Sequence, residues 1–170
     1  MRWLGYAGLL LALLIAVVAV IGVMLPEKHV VTRHAFFRQS PEAVFALITG
    51  PQNWRPDVAR WEEIPNPGGP RRWREYSMHG NSVTFEETAS DPPRKYQAVI
   101  TDKNLPFSGT WTWEITPAND GCDVRITENG EIHNPIFRFA GRFVMGYSKT
   151  MTDYLKALGK KFGEPVSIHK

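Results

Sequence analysis

The sequence predicts an α+β protein in which one curved antiparallel sheet of seven strands wraps around a long C-terminal helix. A transmembrane helix precedes this domain. Three patterns predict the arrangement. Residues 58–133 alternate apolar and polar side chains in short runs, separated by turn-forming residues. Residues 134–162 place their apolar side chains on one face of a helix. Residues 3–25 are apolar and uncharged over a length that can cross a bilayer.

The N-terminal apolar run favours an uncleaved membrane anchor over a cleaved signal peptide. Signal peptides have apolar cores of about 7–15 residues, and this run is longer. Lys28, Arg33 and Arg38 follow the run, and that excess of positive charge does not favour export of the domain. A short N-terminal tail with one arginine, Arg2, nonetheless usually stays in the cytoplasm. We therefore predict a single-pass membrane protein with an extracytoplasmic domain.

Turn-forming residues divide the rest of the chain into short elements. Residues 28–37 predict the first strand. Ser40-Pro41-Glu42 predicts a helix start, because it combines a capping serine, proline at the first helical position and an acid in the first turn. Gly50-Pro51 ends this helix, and residues 52–56 predict a further helical turn. Six more strands are predicted near residues 58–65, 71–78, 82–90, 94–101, 107–116 and 122–133.

The C-terminal stretch predicts one continuous helix from Asn134-Pro135, a capping residue followed by proline, to Phe162. Its apolar residues fall within an arc of about 100°. They are Ile136, Ala140, Phe143, Tyr147, Met151, Tyr154, Leu158 and Phe162. The basic residues Arg138, Arg142, Lys149, Lys156 and Lys160 form an opposite stripe. This stripe is either a solvated outer face or a patch that touches anionic lipid headgroups.

Composition indicates one domain with a wide core or a lined cavity. The chain has 170 residues, with six tryptophans and nine phenylalanines. Its net charge of +3 is spread among residues of both signs, so no nucleic-acid partner is predicted. The single cysteine, Cys122, excludes an internal disulfide and a cysteine-cluster metal site. The sequence has no nucleotide-binding, nucleophile-elbow or zinc-protease motif, and we predict no catalytic residue, cofactor or metal.

Three groups of residues resemble one superfamily in their order and spacing. They are Ser40-Pro41-Glu42 with Val44-Phe45, Leu47-Ile48, Pro51 and Asn53-Trp54; Gly109-Thr110-Trp111-Thr112-Trp113; and Val124, Ile126, Glu128, Gly130 and Ile132 running into Asn134-Pro135. Residues 28–162 thus resemble START/Bet v 1-like (SRPBCC) domains of the polyketide cyclase/dehydrase type. The resemblance implies a helix-grip fold with a deep apolar cavity for lipids, sterols or polyketides. It does not fix an activity, because one fold hosts many functions.

Glu128 is the most informative polar residue. In a regular strand it shares one side with Val124, Ile126 and Ile132, and that side must face the helix. Burial among apolar neighbours raises the pKa of a carboxyl group. Such a group can orient a polar ligand head or act as an acid or base. Two alternatives stay open: a bulge at Asn129-Gly130 turns Glu128 outward, or Glu128 pairs with a nearby arginine.

The other predicted ligand-binding residues are aromatic or apolar. Trp111 and Trp113 share the inward side of one strand, where they either pack the core or line a cavity. The long helix supplies Phe143, Tyr147, Met151 and Tyr154 to the same pocket. Trp54 and Phe107, in the early loop and in the turn after Pro106, are candidate gates.

These patterns predict residues 1–26 as a membrane anchor, 27–164 as the helix-grip domain and 165–170 as a tail. The first functional hypothesis is membrane-anchored binding of a hydrophobic small molecule. The alternatives are a cyclase- or dehydratase-like enzyme that uses Glu128 and a tyrosine, and an interaction module whose cavity is filled by its own side chains. The ligand and the oligomeric state stay open.

Overall fold

A computed structural model describes residues 2–170. It contains four α-helices and eight strands. The helices are α1 (Arg2–Met24), α2 (Pro41–Thr49), α3 (Pro135–Ala140) and α4 (Lys149–Phe162). The strands are β1 (Lys28–Phe37), β2 (Val58–Ile64), β3 (Arg72–Ser77), β4 (Ser82–Asp91), β5 (Lys95–Ile100), β6 (Phe107–Ala118), β7 (Gly121–Ile132) and β8 (Ile168–His169).

The strands form one open antiparallel sheet in the order β2-β3-β4-β5-β6-β7-β1-β8. The predicted α+β class and the seven predicted strands are confirmed. The eighth strand lies in the predicted tail, where Ile168 and His169 pair with Ala35 and His34 of β1. Two residues carry no periodicity, so this strand had no sequence signal.

One face of the sheet carries the core, and α4 packs across it. Phe37, Tyr96, Val124, Ile126 and Leu158 are buried there. The helix α2 closes one side and contributes Val44 and Ile48. It begins as its sequence predicts, with the Ser40 hydroxyl accepting a hydrogen bond of 3.2 Å from the amide of Ala43.

The prediction of one continuous C-terminal helix is wrong. After α3, residues Gly141–Met145 widen into a π-helical turn, and Gly146 then leaves the helix with φ +75° and ψ 132°. Glycine has no Cβ to oppose a positive φ, so the chain turns there at little cost. The helix starts again only at Lys149. Asn134 nevertheless caps α3 as predicted, accepting a hydrogen bond from the amide of Ile136 at 2.9 Å.

This interruption changes which side chains face inward. In α4 the predicted apolar face is buried through Met151, Tyr154 and Leu158. Upstream of the break, Phe143 is 60% exposed and Arg138 is only 6% exposed. The predicted basic stripe therefore does not continue through α3, because a helical wheel for a straight helix does not describe a helix with a π turn and a break.

Arg138 joins the C-terminal end of α1 to the domain. Its guanidinium donates to the carbonyl oxygens of Ile132 at 2.7 Å and His133 at 3.0 Å. It also donates to the carbonyls of Gly22 at 3.4 Å and Leu25 at 3.3 Å, and ion-pairs with Glu27. A cation at a helix C-terminus satisfies carbonyls that lack an intrahelical partner.

The helix α1 contains the apolar stretch Gly5–Met24, which is long and apolar enough to cross a membrane. It packs against α3. At the contact, Gly22 lies so close to α3 that a Cβ built on it would be 2.0 Å from the carbonyl oxygen of Pro135. Only glycine allows this approach of one backbone to another.

Candidate functional site

A cavity of about 460 Å³ lies between the sheet and the C-terminal elements. Ten phenylalanine, tyrosine and tryptophan side chains contribute to its wall: Trp73, Tyr76, Phe85, Tyr96, Phe107, Trp111, Trp113, Phe137, Tyr147 and Tyr154. Strands place Trp73, Phe85, Tyr96, Phe107, Trp111 and Trp113 there, because alternate residues of β3, β4, β5 and β6 point to the same face of the sheet, whereas Tyr147 and Tyr154 come from the C-terminal elements. Size and apolar lining are typical of small-molecule sites.

The structure brings six of the nine predicted site residues to this cavity: Phe107, Trp111, Trp113, Glu128, Tyr147 and Tyr154. The other three lie elsewhere. Met151 is fully buried in the core, and Trp54 packs edge-on against Tyr154 with ring centroids 5.5 Å apart. Phe143 lies at the surface, because the π turn rotates it away from the sheet.

The Glu128 side chain faces the cavity from β7, opposite Trp111 of β6. No bulge interrupts this pairing, which runs in regular register through Asn129 and Gly130. Burial raises the pKa of the Glu128 carboxyl, and a hydrogen bond from the Trp111 side chain opposes this effect in part. The site thus holds a carboxyl group that takes up a proton more readily than one in water.

His29, from the start of β1, is a second titratable group beside Glu128. Its Nε2 lies 3.9 Å from Oε1 of Glu128, and its ring stacks on Tyr147 with centroids 4.3 Å apart and planes 13° apart. Burial lowers the pKa of His29, which favours the neutral ring. An imidazole and a carboxyl group in contact can both orient a carbonyl or hydroxyl group and move a proton to or from it.

Two glycines leave space for this pair of rings. A Cβ at Gly130 would lie 2.4 Å from Nε2 of His29, and a Cβ at Gly141 would lie 2.8 Å from Cε1 of Tyr147. The sequence pattern did not single out His29. The signal that reveals it is the register of β1 on β7, which sets His29 opposite Gly130. Nothing in the local sequence gives that long-range register.

Arg55 forms a second polar cluster in the cavity wall. Its Nη1 donates to Oε2 of Glu75 at 2.9 Å, and its guanidinium lies 5.2 Å from the ring centre of Tyr154. The indole N–H of Trp73 donates to the other oxygen of Glu75 at 3.1 Å. Burial raises the pKa of Tyr154, so its hydroxyl stays protonated and donates to Oε1 of Gln52 at 3.5 Å.

The cavity wall also holds an unpaired donor. The indole N–H of Trp113 is buried and has no hydrogen-bond partner within residues 2–170. A buried N–H without a partner is costly.

Possible metal ligands meet where atoms of Glu27, Glu131 and His133 lie within 4.8 Å of one another. Glu27 is ion-paired with Arg138, and Glu27 and His133 are exposed. Exposed acidic groups commonly lie together without a metal, so we assign no metal role to them.

Replacing Glu128 by glutamine is expected to change how stability depends on pH. Between the ordinary pKa of 4.5 and the raised pKa of the folded chain, Glu128 keeps its proton more in the folded chain than in the unfolded chain. Wild-type stability therefore falls as the pH rises through this interval, whereas glutamine does not titrate and the variant keeps its stability. In denaturant titrations between pH 4 and pH 8, the free energy of unfolding of the variant should rise relative to that of the wild type as the pH rises. Glu114→Gln, on the solvent side of β6, is the matched control. Parallel curves for wild type and Glu128→Gln would contradict the assignment.

Comparison with known proteins identifies the family. The model of the family described as "Polyketide cyclase / dehydrase and lipid transport" matches residues 28–162. The chain belongs to this family. No curated protein sequence matches it.

Solved structures confirm the fold of this domain. A Mesorhizobium loti protein aligns with a TM-score of 0.62 and 16% identity over 79% of this chain and 97% of its own. Norcoclaurine synthase from Thalictrum flavum aligns with a TM-score of 0.61 and 11% identity over 81% and 88%. The di-domain ARO/CYC protein of the steffimycin biosynthetic pathway aligns with a TM-score of 0.59 and 15% identity over 80% and 52%. At these identities the likeness extends to the fold alone.

Proposed function

We propose that the chain binds a hydrophobic small molecule in the cavity under α4 and is held at a membrane by α1. The observation that carries this proposal is the cavity of about 460 Å³ itself, whose wall is mostly apolar, rich in aromatic side chains and includes two polar clusters. Apolar surface supplies affinity and a few polar groups fix orientation. The ligand class we infer is therefore an amphipathic molecule with a large apolar body, such as a lipid, a sterol-like or a polyketide-like compound.

Membrane anchoring is supported by the apolar surface of α1, which stays exposed over most of its length. In water such a surface is unfavourable, whereas a bilayer solvates it. In this proposal residues 1–26 are the anchor, residues 27–164 the binding domain and residues 165–170 a tail that extends the sheet. The orientation with the domain outside the cytoplasm stays a prediction.

An acid–base enzyme of the cyclase or dehydratase type is the second candidate. The contact between Glu128 and His29, backed by Tyr147, favours it, because two titratable groups share one buried site. An interaction module filled by its own side chains is less well supported, since the cavity is open rather than collapsed.

The test is native mass spectrometry of the full chain, released from detergent micelles, with extraction of any bound compound. Wild type should carry a discrete apolar adduct. Val83→Trp adds an indole to the cavity wall and should reduce the adduct at least tenfold. Val99→Trp is the matched control, because Val99 lies on the other side of the sheet and should leave binding intact. An adduct retained by Val83→Trp, or none in wild type, would overturn the proposal.

A further inference from the structure

The segment from Pro135 to Gly146, which we call the interfacial segment, exposes more apolar surface than a domain in water usually does. Phe143 is 60% exposed and Val144 74% exposed. Ile136, Phe137 and Met145 are also exposed. Clustered apolar side chains of this kind mark a contact with a membrane or another protein.

The position of this segment beside α1 indicates which of these contacts it makes. The helix α1 packs against α3; Val18 and Ala19 are half-buried and Gly22 is buried. Val18 precedes Met24, the last residue of the apolar stretch, by about 9 Å at 1.5 Å per residue. The segment therefore lies alongside the last turns of the apolar stretch rather than beyond its end.

The charged residues of the segment are compatible with a position alongside the last turns of the apolar stretch. Arg138 is buried and fully engaged with four carbonyl oxygens and Glu27, so it adds no unpaired charge. Arg142 is exposed. A long basic side chain can keep its apolar stem in the membrane interface while its charged end reaches the phosphate layer.

The same segment forms part of the cavity wall. Phe137, Gly141, Met145 and Gly146 line the cavity, and Tyr147 follows directly. The segment also contains the π turn and the break at Gly146. Its exposed side thus continues the apolar surface of α1, while its inner side touches the space proposed to hold a ligand.

We propose that the interfacial segment lies at the boundary between the acyl chains and the headgroups of a phospholipid bilayer and forms the port between the leaflet and the cavity. This inference rests on the proposed membrane anchoring by α1. The partner is the bilayer rather than a second protein, because the exposed apolar side chains continue the surface of a helix that lipid would surround. An apolar ligand then enters sideways from the leaflet without crossing water.

The first test places an environment-sensitive fluorophore at position 144 of the full chain in phosphatidylcholine–phosphatidylglycerol vesicles. Cys122 is fully buried, so Val144→Cys supplies the reactive thiol. The matched control is Asn119→Cys in the β6–β7 turn, at the far end of strands that extend about 40 Å from the segment. The label at 144 should shift to the blue and be quenched by lipid-borne quenchers. The label at 119 should behave as in water.

Three results separate this inference from the proposed anchoring. A chain that fails to float with the vesicles overturns the anchoring. A chain that floats while the label at position 144 stays in water overturns only the port. Equal quenching at positions 144 and 119 shows general adsorption and also overturns the port.

The second test measures transfer of a pyrene-labelled fatty acid from vesicles into the cavity. Val144→Glu should slow uptake about tenfold with little change in the final occupancy, because the substitution lies at the port and outside the cavity lining. An unchanged rate of uptake would overturn the port. A lower final occupancy at an unchanged rate would also overturn it, and would show that Val144 contributes to binding instead.

Discussion

Arg138→Gln is expected to destabilise the folded chain by about 3 kcal/mol or more, because four buried or partly buried hydrogen bonds lose their shared charged donor. Glutamine is too short and has too few N–H groups to reach the carbonyls of Ile132, His133, Gly22 and Leu25 together. Their acceptor oxygens then stay partly unsatisfied. Most of the loss comes from these carbonyls rather than from Glu27, whose side chain is 53% exposed and stays hydrated.

Thermal unfolding of the full chain in one detergent provides the measurement. A loss of this size lowers Tm by roughly 6–12 °C for a chain of this length. Arg142→Gln is the matched control, because it removes the same charge four residues later from an exposed side chain, and it should shift Tm by no more than about 2 °C. Equal shifts for the two variants would mean that Arg138 does not hold α1 to the domain.

The sequence predicted the sheet and much of the cavity because both depend on local periodicity. Alternation along β6 and β7 places Trp111, Trp113 and Glu128 on one face, and turn compositions mark the strand ends. Glu128 was identified by its polarity alone, since it interrupts an otherwise apolar side of the strand. Because β7 pairs with β6 without a bulge, Glu128 points to the face of the sheet that the alternation predicts.

The parts that could not be predicted depend on contacts between distant residues. His29 reaches Glu128 only because β1 pairs with β7 in one register and Gly130 leaves room for the ring. Arg55 belongs to the cavity because it pairs with Glu75, on a strand twenty residues later. Neither pairing follows from helical or strand periodicity.

The C-terminal helix was mispredicted for a different reason. Its apolar periodicity continues through Gly141 and Gly146, and glycine inside such a pattern lowers helix stability without requiring a break. The π turn and the positive φ of Gly146 change the direction in which the side chains that precede Gly146 point, compared with a straight helix. Arg138 consequently lies inside and Phe143 outside, the reverse of the helical-wheel assignment.

Gly22→Ala is expected to separate α1 from α3 and to lower stability by about 1–3 kcal/mol, the usual range for overpacking. The added Cβ would lie 2.0 Å from the carbonyl oxygen of Pro135, and a backbone atom cannot move aside as a flexible side chain can. The same shift lengthens the hydrogen bond from Arg138 to the carbonyl of Gly22, so two contacts weaken together.

Gly8→Ala makes the same chemical change on the same helix and is the matched control. A Cβ at Gly8 meets no atom within 4 Å, and alanine favours a helix by up to about 1 kcal/mol over glycine. Tm in one detergent should therefore fall for Gly22→Ala and hold or rise for Gly8→Ala. If α1 were only a tether with no fixed contact to the domain, both variants would behave alike. Opposite shifts would instead show that the end of the apolar helix is a structural part of the domain, which fixes α3 and the adjoining cavity wall relative to α1.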